Sequence, residues 1–165
     1  MLATQLTSGA IWLLIALFLA VIAPMGVLLF LGVRFGRWRD ADVSVREERK
    51  RFYPIAVPLS GLGAAAIWMI GAPHYILRGS LVTLLLLMIA GVTNIWFKLS
   101  LHTLFASYCS VILFRVSAFY GLGALALTLL IFWGRLYLSR HTFWETAAGI
   151  ALGLAGGIIT SWMAI

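Results

Sequence analysis

Arg135, His141 and Glu145 lie within one short stretch, GRLYLSRHTFWE, between two apolar runs. A guanidinium, an imidazole and a carboxylate are costly to keep at a membrane boundary, which makes them candidates for chemistry. His141 and Glu145 are four residues apart and become neighbours on one face if that stretch is helical. A carboxylate bonded to one imidazole nitrogen fixes the tautomer and supports positive charge on the ring. The other nitrogen is then left to attack an electrophile. A plainer reading runs beside this one. Thr142-Phe-Trp-Glu145 has the pattern of a capping box for a following helix, and both roles can coexist in one carboxylate. Arg135 and Arg140 could equally snorkel to the headgroups.

Two further polar clusters stand out. Lys98-Leu-Ser100-Leu-His102 opens an apolar run, and Ser100 suits a helix N-cap, where backbone N–H groups and the helix dipole favour an anion. His102, in the first turn, could donate a proton to a leaving oxygen near that anion. The alternative is a plain cap and an interfacial histidine. The third cluster, Ser44 to Pro54, places Arg46, Arg49 and Tyr53 at i, i+3 and i+7 on one helical stripe. Ser44 and Glu47 read as its capping box, with Asp42–Arg46 and Glu47–Arg51 as ion pairs. A positive-inside loop would explain the charge equally well, though not the stripe.

The elements that must position these clusters are membrane helices. Of the 165 residues 63% are hydrophobic and 10% are charged, with a mean hydropathy of +1.06. Soluble domains carry about 25% charged residues, so this chain cannot cover itself for water. Runs of about 20 apolar residues match the hydrocarbon thickness of a bilayer. The spacing predicts an all-α protein with six spans in one integral membrane domain over residues 1–165. The spans cover residues 8–33, 54–72, 79–97, 101–115, 116–134 and 142–165, the fourth being the shortest. Pro54 is expected in the first helical turn of the second span, where its missing N–H would be unpaired anyway. The first run is full membrane length with no charged segment before it, so it reads as a retained span rather than a signal peptide.

Six spans place the loops holding Arg46, Ser100/His102 and Arg135/His141/Glu145 on one side. All five acidic residues and ten of the twelve basic ones fall there, leaving Arg78 and Arg115 opposite with His74. The count of Lys and Arg puts this crowded face in the cytoplasm, at a bacterial or archaeal plasma membrane. The net charge of +7 is concentrated beside a span, with seven basic residues between Arg34 and Arg51. It points to lipid headgroups and phosphorylated lipids as anionic partners, not to nucleic acid, for which no recognition motif is present. Gly149-x3-Gly153 on the last span permits close helix packing within the bundle. Cys109 lies in an apolar run with no second cysteine to pair with. No Cys/His/Asp cluster has metal-ligand spacing, and no strands are expected.

Gly134-Arg135-x5-His141-x3-Glu145, followed by Ala148-Gly149 and a small-residue helix, resembles the third motif of the type 2 phosphatidic acid phosphatase (PAP2) superfamily, S-R-x5-H-x3-D. Leu99-Ser100-Leu101-His102 is similar to its second motif, P-S-G-H. Arg46-x6-Tyr53-Pro54 is similar in spacing to its first, K-x6-R-P. The motif order and six-helix topology also match, so the resemblance spans most of the chain. It implies a metal-independent lipid phosphatase without a cofactor. His141 would attack phosphorus, Glu145 would orient it, and His102 would protonate the leaving alkoxide. Arg135, Ser100 and Arg46, with Arg49 and Lys98, would hold the phosphate oxygens.

The expected function is hydrolysis of a lipid phosphate monoester through a phosphohistidine. The substrate would be an isoprenyl phosphate, a phosphatidate-like lipid or a phosphorylated prenyl-sugar. The alternative is a catalytically degenerate relative with a lipid-binding or transport-related role. A homo-oligomer is compatible with either. Prenyl transfer is disfavoured, because the Asp-rich motifs it typically needs for a metal–diphosphate are absent.

Overall fold

A computed structural model describes residues 15–162 apart from Leu17, with Val21 in its backbone only. The described chain is all-helical. A π-helical turn, Phe18–Ile22, leads into α1 (Ala23–Arg34), followed by α2 (Arg46–Met69), α3 (His74–Thr93), α4 (Leu101–Val116), α5 (Ala118–Tyr137) and α6 (Phe143–Trp162). Four of these, α2, α3, α5 and α6, are long and apolar enough to cross a membrane, as expected of an integral membrane protein. The 16 residues of α4 make a helix of about 24 Å, short for a span. Residues 8–14 and Leu17 of the expected first span lie outside the described residues.

The chain divides into two compact units, Met1–Leu84 and Leu85–Ile165, and the boundary falls inside α3. In the first unit, α1 ends in a Schellman cap. Gly36 takes φ +64°, its N–H donates to Val33 O, and the Arg37 N–H donates to Gly32 O at 2.8 Å. The chain then folds back so that the buried indole of Trp38 lies against Gly32, where any Cβ would fall inside the ring. Trp38 donates to Leu29 O at 3.2 Å and meets Phe52 edge-on. At its other end α2 closes with the same Schellman pattern at Gly71 (φ +66°), which leaves a short turn before α3.

Helix α2 departs from expectation at its start. It begins at Arg46, so Pro54 lies inside the helix rather than in its first turn, and Pro58 lies one turn further on. The carbonyls of Lys50 and Pro54 therefore face residues that have no N–H to offer. The eight residues before Pro54 are helical because Glu47 and Glu48 complement the positive helix start, while Phe52 and Tyr53 bury their rings. The Ser44–Glu47 capping box does not form. Ser44 pairs with Asp40 instead, through both its N–H and its hydroxyl, and Val45 becomes an N-cap without a side-chain bond. Glu47 pairs with Lys50 at 2.8 Å rather than with Arg51. Helix α3 likewise starts earlier than expected, at His74, because the Pro73 carbonyl accepts from both Ile76 and Leu77.

In the second unit α4 packs against both α5 and α6. The α4–α6 contact is nearly backbone to backbone. A Cβ on Gly149 would lie 2.5 Å from Thr103 Oγ1 and 2.6 Å from Ser100 O. One on Gly153 would overlap Leu104 O and Ser107 Oγ, and one on Gly157 would press on Val111. Close approach lets α4 hydroxyls reach α6 carbonyls: Thr103 donates to Thr146 O at 3.0 Å and Ser107 to Ile150 O at 3.2 Å. Apolar side chains give no preference for protein over lipid tails, so such packing and interhelical bonds are what hold two membrane helices together. The expected role of Gly149-x3-Gly153 as internal packing is what the structure shows.

Candidate functional site

The Arg-x5-His-x3-Glu spacing is the sum of two helix caps. Helix α5 ends in a Schellman motif: the Ser139 N–H donates to Leu136 O at 2.9 Å and the Arg140 N–H to Arg135 O at 3.0 Å. The His141 N–H also points to Arg135 O, at 3.4 Å. Ser139 occupies the left-handed position (φ +51°) that glycine fills at the ends of α1 and α2. Helix α6 then begins with the expected capping box. The Thr142 N–H donates to Glu145 Oε2 at 2.9 Å, and the Glu145 N–H donates to Thr142 Oγ1 at 3.3 Å. His141 is the single residue between the two caps.

This placement decides the ring's chemistry. The His141 side chain is 2% exposed, and its Nδ1 lies 3.2 Å from Glu145 Oε2 and 3.2 Å from Lys98 O. A carboxylate and a carbonyl are both acceptors, so a lone pair on Nδ1 would face two negative oxygens. The neutral ring therefore carries its proton on Nδ1 and its lone pair on Nε2. Glu145 thus serves as helix cap and histidine partner through the same oxygen.

The segment before α4 is tied to this loop. The Ser100 N–H donates to Glu145 O at 3.1 Å, and Lys98 Nζ donates to Arg140 O at 2.6 Å. Ser100 holds the N-cap position with extended backbone (φ −80°, ψ 107°), yet its side chain does not cap. Its Oγ is fully buried and has no hydrogen-bond partner. The first backbone bond of α4 runs from Leu104 N to Ser100 O, so the first-turn N–H groups point out of the helix start. His102 is exposed in this first turn, and Arg135 is half-buried in the last turn of α5. His141, Glu145, Lys98, Ser100 and the Arg135 carbonyl are thus joined by direct bonds.

Arg46 and Arg49 belong to the first unit. Arg46 opens α2, and Arg49 is 2% exposed with its Nε donating to Val43 O at 2.9 Å. Val43 adopts φ +46°, strained for a buried β-branched residue. Sequence reasoning missed both the double role of Lys98 and this bend. No glycine or proline marks either one. Among the described residues no group of three or more His, Cys, Asp or Glu side chains is placed to hold a metal ion.

Comparison with protein-family models, with curated proteins and with solved structures finds no match to this chain.

Proposed function

We propose that this protein is a metal-independent membrane phosphatase that hydrolyses a lipid phosphate monoester through a phosphohistidine, within a six-span bundle of PAP2 type. The observation that carries this reading is the buried His141 ring. Two acceptors on Nδ1 orient it and leave Nε2 nucleophilic. The motif resemblance supplies the substrate class.

In this reading Nε2 attacks phosphorus, the bond to the lipid oxygen breaks, and that oxygen leaves as an alcohol with a proton from His102. Glu145 stabilises the positive charge that the ring acquires. Arg135, the first-turn amides of α4 and the Ser100 hydroxyl receive the phosphoryl oxygens. Water then attacks phosphorus with His102 as base, which releases inorganic phosphate and restores His141. Arg46 and Arg49 enter this reading through the resemblance alone. The membrane setting favours a lipid substrate, and the excess of Lys and Arg on the site's side favours the cytoplasmic face.

Detergent-purified protein should release phosphate from isoprenyl phosphate, phosphatidate or a phosphorylated prenyl-sugar in the presence of EDTA. His141→Ala should lower turnover to background. Equal turnover by wild type and His141→Ala, or no turnover by wild type on any of these lipids, would end the proposal.

A further inference from the structure

Lys98 makes two bonds to two consecutive residues of the histidine loop. Its main-chain carbonyl lies 3.2 Å from His141 Nδ1, and its ammonium donates to Arg140 O at 2.6 Å. Lys98 lies between α3 and α4 in a non-helical segment, so no helical ladder fixes where its carbonyl points. An ammonium–carbonyl bond is charge-assisted and about twice as strong as a neutral one. Here it anchors the side chain one residue before His141 and thereby holds the carbonyl against the ring. We infer that Lys98 is a positioning residue that clamps His141 in its Nδ1–H tautomer, acting through Arg140 and His141 rather than on a phosphate oxygen.

The geometry explains why one carboxylate is not enough. Glu145 Oε2 is shared between the Thr142 N–H and His141 Nδ1, and the Glu145 side chain is 17% exposed, so water competes for it. The Lys98 carbonyl is a second acceptor, on the main chain, that no side-chain rotamer change can withdraw. Without the ammonium the carbonyl can turn away, and the ring is left with Glu145 alone. A tautomer flip would then place the proton on Nε2, where attack requires the lone pair.

The test is ¹⁵N-histidine NMR on the full chain in detergent, with the signals of its three histidines assigned by single substitutions. Wild type should show His141 as the Nδ1–H tautomer. Lys98→Met should show exchange between tautomers, and Lys98→Arg, which retains a charged donor, should restore the wild-type signature. The kinetic arm rests on the phosphatase reading. It expects kcat to fall at least about ten-fold in Lys98→Met with KM unchanged, as for a misplaced reactive group. An unchanged tautomer in Lys98→Met, a rise in KM at constant kcat, or a loss of helical fold in that variant would each overturn the inference. The tautomer is read without substrate. Wild type with the Nδ1–H signature but no turnover would therefore refute the phosphatase reading and leave the role of Lys98 to be decided by the spectra.

Discussion

Glu145→Gln separates two roles that one carboxylate performs. Glutamine is accepted at the same position of a capping box, so the bonds with Thr142 should survive and the start of α6 should stay intact. What is lost is the negative charge 3.2 Å from a ring that is 2% exposed. Two unit charges at that distance in a medium of effective dielectric near 20 attract by about 5 kcal/mol, an upper bound here because one edge of the carboxylate is wet. A hydrogen bond to a charged group contributes about 1.5–3 kcal/mol net. If the ring becomes cationic during reaction, that range corresponds to a roughly 10- to 150-fold loss of turnover. Circular-dichroism melting in detergent should place Glu145→Gln within about 0.5 kcal/mol of wild type, while Glu145→Ala, which breaks the cap, should lose about 1 kcal/mol. Both should lose turnover on a lipid phosphate to a similar degree. A Gln variant with wild-type turnover beside a slow Ala variant would refute the argument, because activity would then follow the cap and not the charge.

Three other substitutions probe the surrounding framework. Gly153→Ala should cost about 2–4 kcal/mol in thermal melts, since its methyl displaces the Leu104 carbonyl and breaks the Ser107 bond to α6; Gly123→Ala, where a Cβ meets nothing within 4 Å, is the control and should be neutral or slightly stabilising. Ser139→Gly should stabilise by about 0.5–1 kcal/mol, read as a higher melting temperature, because it relieves a left-handed backbone. Ser100→Ala should leave melting unchanged or raise it by about 1 kcal/mol, as it removes a buried hydroxyl with no partner, yet turnover should fall. A clear loss of stability in Ser100→Ala would show that the hydroxyl has a structural partner.

Much of the site was legible in the sequence because helix caps have local signatures. The Thr142–Glu145 box and the i,i+4 histidine–carboxylate pair needed only neighbours a few residues away, and the Gly149-x3-Gly153 spacing marked a close-packing face without naming its partner helix. Gly36 and Gly71 mark helix ends in the usual way, whereas the end of α5 carries Ser139 and so lacks the usual glycine. The errors came where two local rules compete. Pro54 suits a first helical turn, but the amphipathic residues before it bury a face and carry the helix back to Arg46. Ser44 suits a cap, but Asp40 four residues earlier offers it two oxygens. Lys98 was illegible in role because its partner, Arg140, is 42 residues away, and no spacing rule spans that distance.

The back-to-back caps around His141 also leave the connection between α5 and α6 without slack. The five-residue closure from Arg135 to Arg140 and the three-residue closure from Thr142 to Glu145 leave His141 alone between them. One residue added there would turn everything downstream by about 100° about the helix axis and swing Glu145 off the ring. Length is therefore constrained as tightly as composition in this connection.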